Sequence, residues 1–144
     1  MSIKKANARW EGDLKNGTGS VKTESGILDA AYTFASRFED GKGTNPEELI
    51  AAAHAGCYSM ALSNELASAG HDTRSVETKA EVKLETKDSG PEITTIRLIS
   101  KAHVPGIDHD TFMEIANGAK EGCPISKVLA GAEISLDIEL NSKE

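Results

Sequence analysis

The sequence predicts an α+β fold in which antiparallel sheets surround one long, buried central helix. Three observations predict it. Stretches of strict alternation, Val76–Thr86 and Ala132–Leu140, have the period of half-exposed strands. Between them in kind is a run in which Leu49, Ile50, Ala53, Cys57, Met60, Ala61 and Asn64 recur at three- and four-residue steps, the period of a helix. The elements also follow one another as hairpin, helix, hairpin, two helices and strand, an order that segregates strands from helices instead of alternating them. With 144 residues, 38% hydrophobic and 27% charged, and no repeat or linker, residues 1–144 are expected to be a single domain.

At the amino-terminal end, "KKANARWEG" and "GSVKTESGIL" flank Asn16-Gly17, a hairpin signal because both residues tolerate positive φ. An irregular segment, "DAAYTFASRFEDGKG", leads to the long helix. Thr44 or Asn45 can cap that helix, Pro46 suits its first position, and Glu47 and Glu48 complement the positive end of its dipole. It should run to about Ala69 and stop at Gly70. Its far side, "AAAHAG", is small and apolar, so the helix should be buried nearly all round. A chain of this length has trouble enclosing such a helix alone, which points to a second copy and hence a homodimer.

From Val76, the residues Val76, Thr78, Ala80, Val82, Leu84 and Thr86 share one strand face, and alternating Glu and Lys occupy the other. The turn "DSGPE" returns the chain into "ITTIRLISKAHV". "DHDTFMEIANGAKEG" then reads as a capped amphipathic helix with Phe112, Ile115 and Ala119 inward. Pro124 opens another helix directly after Cys123, with Val128 and Leu129 as packing residues and Gly131 as the stop, before "AEISLDIEL" closes the sheet.

A net charge of −7 argues against nucleic acid or an anionic membrane as partner, since both need clustered Lys and Arg. Neither a signal-peptide core nor an apolar run of membrane-spanning length is present, so a cytoplasmic location is expected. In that reducing compartment two cysteines are catalytic, redox-active or inert packing thiols, not a disulfide scaffold.

Cys57 stands mid-helix among apolar neighbours that would raise its pKa unless a cation is supplied. Cys123 stands immediately before "PISKVL", where backbone N–H groups can stabilise charge on sulfur. The plain alternative is that both thiols are small packing hydrophobes. A further one is a zinc site, with His54 and Cys57 three apart on one helical face, joined by Cys123 and one more ligand. The remaining histidines, His71, His103 and His109, have no partner pattern and read as surface residues. Composition alone leaves Glu47 and Glu48 as first-turn acids and Arg37 as a solvated loop cation.

"TNPEELIAAAHAGCYSMAL" and "EGCPISKVL" resemble the two cysteine motifs of the OsmC/Ohr family, the osmotically inducible protein C and organic hydroperoxide resistance proteins. With "SRFEDGKGTNPEEL" and "GTGSVKTESG", the resemblance covers essentially the whole chain and is nearest the OsmC branch. It implies an intertwined homodimer with active sites at the subunit interface, and a peroxidase that reduces organic and, less well, inorganic hydroperoxides without a cofactor or metal. It implies Cys57 as the peroxidatic nucleophile and Cys123 as the resolving thiol, joined in an intramolecular disulfide during turnover. The family's catalytic arginine falls on Arg37 and its partner glutamate on Glu47, with Glu48 as the fallback; the reductant is a dithiol, a lipoyl group carried on a protein.

The residue types suit that chemistry. A thiolate attacks the peroxide oxygen and becomes a sulfenic acid, which a second thiol converts to a disulfide. A buried thiolate needs a cation, and a guanidinium stays charged while a carboxylate orients it. Ala53, Ala61 and Met60 would leave an apolar slot for an alkyl peroxide, and Tyr58 would bring a hydroxyl near the nucleophile. The rival from another class is a non-catalytic stress protein that binds a small apolar ligand in the dimer groove, with both thiols structural.

Overall fold

The computed structural model describes residues 1–144, which divide into two units, Met1–Leu49 and Ile50–Glu144. In the first, β1 (Ala6–Glu11), β2 (Thr18–Thr23) and β3 (Asp29–Tyr32) form an antiparallel meander in that order. The hairpin expected between the first two strands is present, but its turn is built differently. No residue other than glycine has positive φ, so Asn16 does not take the conformation that Asn-Gly turns use. Asp13 closes the loop instead: its carbonyl accepts from Gly17 N at 2.9 Å, and its carboxylate accepts from Asn16 N at 2.7 Å. Gly17 is required for another reason, since a Cβ there would stand 2.4 Å from the carbonyl oxygens of Asp13 and Glu11.

The segment read as irregular holds β3 and a short helix, α1 (Phe34–Phe38). A capping box makes this helix possible: Thr33 Oγ1 accepts from Ser36 N, and Ser36 Oγ accepts from Thr33 N. Five residues are too few for a helical period to show in the sequence.

The long helix, α2, spans Pro46–Ser68, with its first turn in the first unit. Asn45 caps it, accepting from Glu48 N at 2.7 Å, and Gly70 ends it at φ 89°. The expectation of burial all round holds for one side of the helix in a single chain. His54, Tyr58, Leu62 and Leu66 are fully buried, whereas Ala52, Ala53, Gly56, Met60 and Asn64 are exposed.

In the second unit, β4 (Ser75–Lys87) pairs antiparallel with β5 (Gly90–His103). Val76 through Leu84 alternate inward as read from the sequence, up to a register shift between Lys83 and Leu84. The last strand, β6 (Glu133–Asn141), also alternates, but it lies parallel to β5, with Leu98 opposite Leu136. The expected all-antiparallel pairing is therefore corrected at this strand, which makes the second sheet mixed. The cause is the connection: α3 (His109–Gly122) and α4 (Pro124–Val128) carry the chain back to the end where β5 began, and a crossover of that kind delivers a parallel strand.

The core of this unit joins the inner face of α2 (Tyr58, Leu62, Leu66) to Leu98 and Ala102 of β5 and to Phe112, Ala116 and Ala119 of α3. Each large side chain contributes about 1.5–3 kcal/mol by leaving water. Phe112 and Ala119 are inward as expected, Ile115 is half-buried, and Val128 is 78% exposed rather than a packing residue. Ile125 and Ser126 take the inward positions of α4 instead. No helix is long and apolar enough to cross a membrane.

Candidate active site

The residues singled out from the sequence form two thiols and one ion pair, and each arises from local structure. Cys57 lies in the middle of α2, three residues after His54 and one before Tyr58. Cys123 closes α3 by donating its backbone N–H to Ala119 O and caps α4, whose first residue is Pro124. Helix α3 packs on α2 through Phe112, Ala116 and Ala119, and that packing delivers its carboxyl end to Cys57. The Sγ atoms of Cys57 and Cys123, 66 residues apart in sequence, are 2.8 Å apart and both thiols are free. That separation is within about 1 Å of a disulfide bond length of about 2.05 Å.

The surroundings divide the pair. Burial pushes the Cys57 thiol above its ordinary range and its contact with Cys123 pushes it further, against a smaller lowering by the backbone of Ile125. Burial acts in the same sense on Cys123, but Cys57, the backbone and hydroxyl of Ser126 and the backbone of Ile125 outweigh it, so this thiol is lowered. With both sulfurs protonated, Cys123 donates to Cys57. The first proton to leave is that of Cys123, whereupon Cys57 becomes the donor. Cys57 is therefore the harder of the two thiols to ionise.

In the first unit, Arg37 sits in the last turn of α1 and Glu47 in the first turn of α2. The chain between them is tied at both ends. Ser36 Oγ donates to Thr44 O at 2.8 Å, and Asn45 Nδ2 donates to Ser36 O at 2.9 Å. Arg37 Nη2 then reaches Glu47 Oε1 at 2.8 Å, with Nε donating to the same oxygen at 3.0 Å. Glu47 is buried, and Glu48 is engaged elsewhere, accepting from Thr44 Oγ1 at 2.8 Å. Of the two adjacent acids, Glu47 is the one paired with Arg37.

Arg37 also lines a cavity of about 180 Å³ with Trp10, Leu14, Tyr32, Phe34 and Phe38. Its guanidinium carbon lies 5.2 Å from the centre of the Phe38 ring, within cation–π range. The chain has only three Phe, two Tyr and one Trp, so four of its six aromatic residues stand around this arginine. Low aromatic content in the composition concealed that concentration.

The expected slot residues separate: Ala61 is half-buried against the core, while Ala53 and Met60 face outward. The Tyr58 hydroxyl, expected beside the nucleophile, donates to Ala116 O at 3.0 Å and is spent on packing α2 to α3. His54, read as a possible zinc ligand or a core-edge side chain, is fully buried with Nε2 2.7 Å from Ser126 Oγ. Sequence reasoning passed over Ser126, though its spacing from Cys123 equals that of His54 from Cys57. His71 and His103 are half-buried, with His103 Nε2 2.8 Å from Lys143 O, and His109 is exposed.

The family model for OsmC-like protein matches residues 39–139. The chain is 56% identical to peroxiredoxin OsmC of Escherichia coli over 140 residues, which covers 96% of this chain and 97% of that one. It is 28% identical to the organic hydroperoxide resistance protein OhrB of Bacillus subtilis over 127 residues, 87% and 89% of the two chains. The crystal structure of that OhrB superposes with a TM-score of 0.68 over 95% of this chain and 98% of the other.

Proposed function

The chain belongs to the OsmC family, and from that premise we propose that it is a cysteine-based peroxidase that detoxifies organic hydroperoxides. The observation that carries the reading is the 2.8 Å contact between Cys57 and Cys123, two free thiols held where one can attack the other. Supporting it are the relatives, one a peroxiredoxin by name and the other an organic hydroperoxide resistance protein.

In this mechanism the Cys57 thiolate attacks the distal peroxide oxygen, the O–O bond breaks, and the departing alkoxide takes up the proton that the Cys57 thiol gave up and leaves as the alcohol. Cys57 is left as a sulfenic acid. Cys123 attacks that sulfur, water is released, and a disulfide joins the two residues before further oxidation can trap Cys57. A dithiol then restores both thiols, and a lipoyl group carried on a protein is the proposed reductant. Inorganic peroxide is a poorer substrate, because the aromatic wall around Arg37 offers apolar surface that only an organic group can cover.

Arg37, oriented by Glu47, is assigned the positive charge that burial makes Cys57 require. A guanidinium paired on one edge keeps N–H donors on the other for a peroxide oxygen. The working form is assigned as an intertwined homodimer, each chain contributing residues 1–144 as one domain, in the cytoplasm where thiols stay reduced. The outward side of α2, with Ala53, Gly56 and Met60, is the surface whose covering a dimer explains.

The test is intact mass and free-thiol count of the reduced protein before and after one equivalent of an organic hydroperoxide. Loss of both thiols with a decrease of about 2 Da, the two hydrogens removed on disulfide formation, supports the cycle. Two unreacted thiols would sink it and leave a ligand-binding protein with structural cysteines.

A further inference from the structure

Helices α2 and α4 meet through two matched pairs. His54 and Cys57 are three residues apart on α2, and Cys123 and Ser126 are three residues apart across the start of α4. The pairs face each other rung by rung: Cys57 Sγ to Cys123 Sγ at 2.8 Å, and His54 Nε2 to Ser126 Oγ at 2.7 Å. The peroxidase cycle uses only the first rung.

Packing does not account for the second. His54 is fully buried, yet its Nδ1 has no hydrogen-bond partner. An apolar side chain of the same size would avoid that unmet polar group, so the imidazole is retained for what its other nitrogen does. The unpartnered Nδ1 also indicates the tautomer. A buried N–H without an acceptor is rarer than a bare lone pair without a donor, which places the ring proton on Nε2. Nε2–H then donates to Ser126 Oγ and occupies one of its lone pairs, leaving the Ser126 proton to be donated elsewhere. Ser126 is the third residue after its cap Cys123, and its hydroxyl is among the groups that lower the Cys123 thiol.

We propose that His54, acting through Ser126, is a positioning residue for disulfide formation: it fixes the Ser126 hydroxyl on the Cys123 sulfur and holds Cys123 ready to attack oxidised Cys57. This rests on the peroxidase reading above. In the step, the Cys123 thiolate forms the S–S bond as the S–O bond of the Cys57 sulfenic acid breaks. Hydroxide leaves and takes up the proton that Cys123 gave up, so the products are one disulfide and one water. The Cys57 sulfur is reduced and the Cys123 sulfur oxidised. No proton ends on His54, which burial keeps neutral. Other ionisable groups placed to influence Cys123 are Cys57 and Tyr58, with Glu65 acting on Tyr58 from further along α2. Tyr58 is itself held protonated by burial.

The test begins in a Cys57→Ser background, where Cys123 is the single thiol and its thiolate is followed by ultraviolet absorbance. Ser126→Ala and His54→Leu are each expected to move the titration to higher pH by about one unit, a tenfold change in ionisation constant. The double variant should move it no further than Ser126→Ala alone, because His54 acts through Ser126. With both cysteines present, Ser126→Ala should slow disulfide formation about tenfold and leave the preceding peroxide-consuming step unchanged. His54→Gln, which restores an N–H donor, should recover part of the rate. Ser126→Ala removes only an oxygen and keeps the test decisive if His54→Leu fails to fold. An unmoved titration and an unchanged disulfide rate in an active parent would overturn the proposal alone. A parent that consumes no hydroperoxide would overturn the peroxidase reading, and the proposal with it.

Discussion

Arg37 Nε donates to both carboxylate oxygens of Glu47, at 3.0 and 3.3 Å, while Nη2 donates to Oε1 at 2.8 Å. The pair is asymmetric in exposure, with 35% of the arginine side chain open to solvent and 10% of the glutamate. An ammonium cannot copy this planar two-nitrogen grip. Arg37→Lys and Glu47→Gln are therefore expected to lower the rate of Cys57 oxidation by an organic hydroperoxide about 10²-fold, the scale of losing one preorganised donor. Arg37→Ala should in addition cost about 1–2 kcal/mol of stability. That is less than the about 3–5 kcal/mol of a fully buried pair, because solvent reaches the arginine side. Stopped-flow thiol oxidation and denaturant titration separate the two effects; oxidation of Arg37→Lys at the parent rate would remove Arg37 from the mechanism.

The two cysteines predict different failures. Cys57→Ser removes the proposed nucleophile and should abolish turnover. Cys123→Ser leaves an oxidisable Cys57 that cannot be resolved from within the chain, so one equivalent of peroxide should be consumed before the reaction stalls. The mass of that stalled protein should carry one added oxygen, and a sulfenic-acid trap should label Cys57. Multiple turnovers by Cys57→Ser would contradict the assignment of the nucleophile.

Much of this was legible in residue order, and what was not has physical causes. Asn45-Pro46 and Gly70 bounded α2 because capping and C-terminal turn chemistry are local, and the alternation of β4 and β6 was equally local. The parallel sense of β6 depends on where two helices deposit the chain, which is a property of tertiary packing. A signal for it existed, since a hairpin needs a few residues and the chain spends the whole interval from His103 to Glu133 between β5 and β6. Helix α1 is held by the Thr33–Ser36 capping box and by Ser36–Thr44, contacts with no periodic signature. At the site, the resemblance of the two cysteine motifs implied Cys57, Cys123, Arg37 and Glu47, which composition and spacing alone left as packing thiols, a loop cation and a first-turn acid, while the second rung through Ser126 depends on α2 and α4 lying side by side.

The outward side of α2 bears on assembly. Met60 is 77% exposed in the single chain, amid the small residues Ala53 and Gly56 that let another backbone approach closely. Covering a Met contributes about 1.5–3 kcal/mol, and a two-fold interface counts it twice. Met60→Lys is expected to raise the dimer dissociation constant at least about a hundredfold, read by sedimentation equilibrium. A parent protein that sediments as a monomer at all concentrations would dismiss the dimer.

As the pH falls below about 6.5, His54 should govern stability. Burial lowers its pKa from the ordinary 6.5, so the folded chain resists a proton that the unfolded chain accepts. Below 6.5 the unfolded state binds more protons, and stability therefore falls as pH falls, by at most about 1.4 kcal/mol per pH unit for one group. Above 6.5 neither state is protonated at this residue and the contribution is complete. The lowered carboxyls of Asp13, Asp108 and Glu85 act in the same direction but in a more acidic window, below their ordinary 3.8 to 4.5. The thiols of Cys57 and Cys123 depart from an ordinary 9.0 and act on the alkaline side. Denaturant titrations across this range should show the slope in the parent and lose it in His54→Gln, which cannot be protonated. An identical slope in the two proteins would show that His54 is not the titrating group.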